Sequence, residues 1–220
     1  MKFKIEMLSA YLVGGSQDTD NNPTMLLQRV KLALKNGITM FQYREKGAGA
    51  LQGKARQNLG RQLRSLCQQY DCPFMIDDDL DLALALKADG IHVGQGDQPI
   101  SQVTKAAKDA GMFVGYSCNT EAEIKQANQL SEIDYYGVGP IFPTQSKADA
   151  DPALGIQQLR VLNQLATKPV VAIGGINNNR LEAVRRTGVA GIAVISQVLG
   201  NDDVALASQQ LVGEKGKKRI

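Results

Sequence analysis

The sequence predicts an α/β fold, a single-domain (β/α)8 TIM barrel, on three observations. Short apolar runs rich in β-branched residues alternate with amphipathic stretches along the whole chain. Eight such strand–helix units recur at intervals of roughly 20–30 residues, which suits a barrel of about this length. Polar residues or glycines follow seven of the eight runs on the same side, where such a barrel gathers its chemistry.

Taken in order, residues 7–13 form the first apolar run and stop at Gly14-Gly15. Residues 24–36 carry helical spacing at Leu26, Leu27, Val30 and Leu34, with Gly37 as a stop. Strand 38–43 precedes a long helix at 51–70, and strand 74–76 a short Ala/Leu helix at 80–87. Strand 90–93 leads to helix 100–110, closed by Gly111. Strand 113–116 leads to helix 120–130, whose Thr120 and Glu123 have the spacing of a capping box. Strand 135–138 and helix 155–165, strand 170–173 and helix 181–187, and strand 192–195 and helix 202–212 complete the series. An open doubly wound sheet is the competing architecture, but no G-x-G-x-x-G follows the first strand. The barrel is expected to span residues 1–213, with 214–220 as a basic tail.

Composition narrows the function. The 220 residues carry a formal net charge of +3, from 25 basic and 22 acidic side chains. Lys215, Lys217, Lys218 and Arg219 crowd into the tail, so the body is near neutral and gives no case for nucleic acid. The tail reads as a solvated, frayed end. Cys67, Cys72 and Cys118 have no metal-ligand spacing and read as reduced thiols of a cytoplasmic protein. The first fifteen residues lack a long apolar run and read as neither signal peptide nor membrane span.

The rim residues suggest phosphate chemistry. Strand 38–43 runs into Gln42, Arg44, Glu45 and Lys46; Arg44 and Lys46 alternate along extended chain and can share a side. They are either two fixed positive charges for an anion or an ordinary surface pair. Asp77, Asp78 and Asp79 follow strand 74–76. Three adjacent carboxylates repel unless a cation or helix caps absorb them. Asp79 can cap the next helix, and Asp78 with Asp97 could hold Mg²⁺; capping by all three is the alternative. Ser117, with Asn119 and Thr120, ends the fifth strand; Gly137, Gly139 and Pro140 lead from the sixth to Thr144, Ser146 and Lys147; Ser196 follows the eighth.

The stretch PVVAIGGINNN, residues 169–179, joins a buried strand to a glycine pair, Gly174-Gly175. Asn177, Asn178 or Asn179 can cap a helix starting near Arg180. Such a turn presents backbone N–H groups to a phosphate, or is simply a tight connection. His92, the only histidine, sits in the apolar run GIHV and reads as a core or near-core residue rather than a base. Without further histidines, neither a Ser–His–Asp triad nor a histidine-rich zinc site is expected. Carboxylates, cations, hydroxyls and glycine amides suit the departure of a diphosphate, whose growing charge they neutralise.

Seven segments then fall in the order and spacing of one family: FQYREK (41–46), IDDD (76–79), ADGIHVGQGD (88–97), GYSCNT (115–120), DYYGVGPIFPTQSK (134–147), VVAIGGI (170–176) and IAVISQV (192–198). Together they resemble thiamine phosphate synthase over residues 8–198. The resemblance implies a (β/α)8 barrel that joins the pyrophosphate ester of 4-amino-5-hydroxymethyl-2-methylpyrimidine to thiazole phosphate. Pyrophosphate would leave first, and the thiazole nitrogen would attack the methylene cation that remains. By the same resemblance Asp78 and Asp97 would be Mg²⁺ ligands. Arg44, Lys46, Asp77, Ser117 and Lys147 would hold the pyrophosphate, with Lys147 stabilising the departing charge. Gln42 would bond the pyrimidine, and Thr144, Ser146, Gly174, Gly175, Ile195 and Ser196 the thiazole phosphate. The implied partners are these small molecules and a second copy of the chain as a homodimer, without nucleic acid or membrane. Segments 47–53 and 145–152 are the candidate lids.

Three positions depart from the family pattern. Asp77 stands where Asn is usual, Asn119 where His is frequent, and Ser146 where a second Thr is common. Asn119 speaks against a thiazole tautomerase, a relative that relies on that histidine. Asp77 leaves open a paralogue that binds a thiamine-pathway phosphate without turnover, because an extra carboxylate weakens pyrophosphate binding unless it is protonated or paired.

Overall fold

The structure, a computed structural model, describes residues 2–146 and 151–213. Eight parallel strands close a barrel in sequence order: β1 Ala10–Gly14, β2 Met40–Tyr43, β3 Phe74–Asp77, β4 Gly90–Val93, β5 Phe113–Ser117, β6 Tyr135–Val138, β7 Val170–Ile173 and β8 Gly191–Val194. The helices are α1 Pro23–Lys35, α2 Gly53–Gln69, α3 Leu80–Leu86, α4 Ile100–Ala110, α5 Glu121–Ala127, α6 Gly155–Leu165, α7 Asn178–Arg185, α8 Ser196–Leu199 and α9 Val204–Val212. The basic tail expected at 214–220 lies outside the described residues.

The strands are buried on both faces because each serves two cores. Their side chains alternate with period two. Leu12, Phe41, Ile76, Ile91 and Val114 join the layer between barrel and helices. Tyr11, Met40, Met75, Phe113, Tyr135, Val171 and Ala193 fill the barrel interior. The same alternation, carried on to the strand ends, turns Gln42, Asp77, His92 and Ser117 inward at the C-terminal mouth, where all four line one cavity.

Local signals set the helix starts. Asn22 accepts from Met25 N at 3.0 Å, Asp79 from Leu82 N at 2.9 Å and Asp203 from Leu206 N at 2.9 Å. Thr120 and Glu123 form the expected capping box. The three cysteines are free and buried, and burial pushes the Cys118 thiol up to about 12.

The structure corrects three sequence expectations. The first apolar run is split: Ile5–Leu8 is a 3-10 turn, and the strand begins only at Ala10. This turn closes the bottom of the barrel, with Leu8 fully buried in the interior core. Its backbone comes so close to β8 that a Cβ on Gly191 would overlap Leu8 O. Helix α7 starts at Asn178, and its cap residue Asn177 makes no side-chain cap bond. Finally, α8 is a separate four-residue helix between β8 and α9, too short to leave a periodic signal.

Candidate active site

One cavity of about 650 Å³ occupies the C-terminal mouth. Of the sequence-predicted site residues, Gln42, Arg44 and Lys46 reach it from β2 and its loop, and Asp77 and Asp78 from the end of β3. Asp97 enters after β4, Ser117 from β5, Thr144 and Ser146 after β6. Gly174 and Gly175 after β7 and Ile195 and Ser196 after β8 complete the ring. Lys147 lies outside the described residues, as does part of the 145–152 segment.

Charges are paired along the β2–β3 side of the mouth. Arg44 Nε lies 3.4 Å from Asp77 Oδ2, so the carboxylate that stands in place of the usual Asn faces a guanidinium. Lys46 pairs with Asp78, and Arg56 with Asp79 at 2.7 Å. Asp78 is held in left-handed backbone at φ 60, with its N–H donating to His92 O at 2.8 Å. An aspartate in that region marks a locally determined conformation. Asp97 accepts from Gly94 N at 2.7 Å and is exposed.

The loops bearing these charges are tied down from beneath. Glu45 is buried and accepts from Ser16 N at 2.9 Å, from the Ser16 hydroxyl and from Leu51 N at 2.8 Å. It therefore joins the β1 and β2 loops, and its neighbours Arg44 and Lys46 are left to face the mouth. Asn119 bridges two loops: Gly139 N donates to its Oδ1 at 3.0 Å, and its Nδ2 donates to Asp151 at 3.2 Å. Those contacts bracket the segment that carries Lys147.

The glycine pair forms the tight connection that the sequence allowed, at the wall of the cavity. Gly174 and Gly175 have φ of 99 and 61, and a Cβ at either would strike the loop after β6, at Pro140 or at Pro143 O, 2.5 Å away. Phe142 N donates to Gly174 O at 3.0 Å, and Arg180 donates to Gly175 O while its guanidinium lies 4.4 Å over the Phe142 ring. The turn is thus packed tightly on one side and open to the cavity on the other.

His92 is placed differently from the near-core expectation. It is half-buried and lines the cavity, with Nδ1 3.0 Å from the Tyr135 hydroxyl and Nε2 3.0 Å from Ser117 Oγ. Its apolar neighbours Ile91 and Val93 face the helices; the period-two phase, not the local hydropathy, was the signal that could have found it.

Comparison with known proteins converges on one family. The family model described as thiamine monophosphate synthase matches residues 10–198. A thiamine-phosphate synthase of Limosilactobacillus reuteri is 49% identical over 211 residues, covering 96% of this chain and 98% of that protein. The chain belongs to the thiamine monophosphate synthase family. Another family relative, the thiamine-phosphate synthase of Haemophilus influenzae, is 43% identical over 218 residues, covering 96% of each chain. A solved thiamine phosphate pyrophosphorylase from Pyrococcus furiosus superposes with a TM-score of 0.80 at 36% identity, covering 94% of this chain and 95% of that one.

A metal can be tested against the family site by its donor set. Among the described residues no group of three His, Cys, Asp or Glu could hold an ion. Two carboxylates at one mouth, Asp78 and Asp97, do suit Mg²⁺, which commonly takes one or two carboxylates and completes its shell with water and phosphate oxygens. By donor type alone, these two residues fit such an ion.

Proposed function

We propose that this barrel couples the pyrophosphate ester of 4-amino-5-hydroxymethyl-2-methylpyrimidine to thiazole phosphate, giving thiamine phosphate and pyrophosphate. Membership of the thiamine monophosphate synthase family supports this reading, together with one observation: paired cations and carboxylates converge with the glycine turn on a single cavity.

Gln42 holds the pyrimidine. Arg44, Lys46, Asp77, Ser117 and Lys147 hold the pyrophosphate, Asp77 through its pairing with Arg44. Asp78 and Asp97 would hold Mg²⁺, which when bound neutralises charge on the pyrophosphate oxygens. The methylene C–O bond breaks and its electron pair leaves with pyrophosphate; Lys147, Arg44 and Lys46 stabilise that charge as it grows. The electron-rich aminopyrimidine carries the cation. Thr144, Ser146, Gly174, Gly175, Ile195 and Ser196 hold thiazole phosphate so that its ring nitrogen supplies the pair for the new C–N bond. Holding both partners in one cavity replaces a bimolecular encounter and excludes water from the cation.

Asn119 gives this reading preference over a tautomerase, since the side chain at that position is spent on bridging loops. The free, buried thiols support a cytoplasmic enzyme, and family resemblance supports a homodimer, which sedimentation of the purified chain tests. No helix among the described residues is long and apolar enough to cross a membrane. The deciding experiment incubates the protein with both substrates and Mg²⁺. Equimolar pyrophosphate and thiamine phosphate are expected. Calorimetric binding of both substrates without pyrophosphate release would replace the enzyme with a phosphate-binding paralogue.

A further inference from the structure

Beneath the cavity, five side chains from five different strands form a continuous hydrogen-bonded chain. Gln42 Nε2 donates to the Tyr11 hydroxyl at 2.7 Å. The Tyr11 and Tyr135 hydroxyls are 3.0 Å apart, Tyr135 reaches His92 Nδ1 at 3.0 Å, and His92 Nε2 reaches Ser117 Oγ at 3.0 Å. Tyr11, Tyr135 and Gln42 are buried. Room for the inner rings is made by glycines: a Cβ on Gly115 would lie 2.2 Å from Tyr135 and 2.4 Å from His92, and one on Gly137 would lie 2.8 Å from His92.

Such a chain has a direction. An amide nitrogen can only donate, so the Tyr11 oxygen accepts from Gln42. Each tyrosine has one proton, and a buried hydroxyl that leaves its proton idle is costly. Tyr11 therefore donates to Tyr135, and Tyr135 to His92 Nδ1. The neutral imidazole then carries its proton on Nε2 and donates it to Ser117. The Ser117 hydroxyl proton is left for the cavity. Turning the Gln42 amide over would reverse every one of these bonds and aim Ser117's lone pairs, not its proton, at the mouth. An anion at Ser117 favours only the first direction.

We propose that Tyr11, Tyr135 and His92 are positioning residues that couple the anion end of the site to the base-reading end, and so set specificity for an aminopyrimidine over an oxopyrimidine. The inference rests on the reading of Gln42 and Ser117 given above. With Nε2 tied to Tyr11, the Gln42 amide is locked and offers its Oε1 acceptor to an exocyclic amino group. A 4-oxo ring presents an acceptor at that place and a donor at the adjacent nitrogen, the opposite pattern. Sites built on directed hydrogen bonds reject such analogues because one buried group is left unpaired.

The test compares affinities for the phosphate monoesters of 4-amino- and 4-oxo-5-hydroxymethyl-2-methylpyrimidine, measured by calorimetry on wild type and Tyr135→Phe. Tyr135 is bonded to Tyr11 and His92 and makes no hydrogen bond to Gln42. Its loss leaves the Tyr11 proton free to turn toward the amide oxygen. Wild type is expected to prefer the amino ester, and Tyr135→Phe to lose about tenfold of that preference, the worth of one neutral hydrogen bond. General loosening would weaken both esters alike and leave the ratio unchanged. Tyr11→Phe, which breaks the chain one bond nearer to Gln42, should give the same loss and serves if Tyr135→Phe does not fold. A preference unchanged in a folded variant overturns the coupling while leaving the pyrimidine site intact. Wild type binding neither ester overturns the pyrimidine reading, and the coupling with it.

Discussion

Asp77 carries a charge where the family usually has none, and Arg44 answers it at 3.4 Å. Two effects then combine in Asp77→Asn. Removing the carboxylate takes away repulsion toward pyrophosphate, and it also releases Arg44 from that pairing, so that its guanidinium can turn to the anion. Both act in the same direction, so kcat/KM for the pyrimidine substrate is expected to stay level or rise up to about tenfold, the span of one partly exposed charge interaction. A complete loss of turnover would mean that the carboxylate has become necessary here. Lys147→Ala is expected to do the reverse: kcat falls by about 10²–10³, as for loss of one preorganised group on a developing charge, while the KM for thiazole phosphate moves little. Equal effects on both would remove Lys147 from the departing charge. At this scale the sequence was readable where a charged residue interrupts a strand end, as at Arg44 and Asp78. It was unreadable at Glu45 and His92. Glu45 belongs to the same charged run but turns inward to bind Ser16 and Leu51. His92 is hidden among apolar neighbours, and only its register opposite Asp77 places it on the inward face.

Among the elements, the β7–α7 turn shows how far backbone chemistry carries a prediction. The glycine pair was legible because no other residue tolerates both a positive φ and a neighbouring backbone at van der Waals contact. In Gly174→Ala the new Cβ would sit 2.5 Å from Pro140, at φ 99. The left-handed conformation alone costs about 1–2 kcal/mol, and the clash adds to it. A fall in Tm of at least about 2–8 °C is expected for a chain of this size, with a raised KM for thiazole phosphate. An unchanged melting curve would show that the loop after β6 yields freely. What the sequence did not disclose was the partner of the turn. Phe142 and Pro143 lock onto it from the loop after β6, while Arg180 of α7 reaches back to Gly175 O and over the Phe142 ring, and contacts from another strand–helix unit leave no local pattern. The four-residue α8 was lost for a related reason, being shorter than a period that could be recognised.

For the whole molecule, closure of the barrel divides stability from chemistry. The bottom is plugged by Ile5–Leu8, with Leu8 fully buried, while the ionic groups of the mouth lie at the opposite end of the strands. Leu8→Ala is expected to cost about 2–5 kcal/mol of stability by leaving a cavity, with both substrate KM values unchanged in thermal and steady-state assays. The eight-unit rhythm made the architecture legible, because alternating buried strands and amphipathic helices admit few closed arrangements. The convergence of distant residues on one opening followed from that rhythm alone. The most direct measurement of that convergence is the Mg²⁺ dependence of thiamine phosphate formation by wild type, Asp78→Asn and Asp97→Asn. Activity should vanish in EDTA and return with Mg²⁺, and each variant should need more than about tenfold more metal for half-maximal rate, since even an outer-shell partner is worth about 10–100-fold. Product formed equally well in EDTA, or variants with the wild-type metal requirement, would contradict the account.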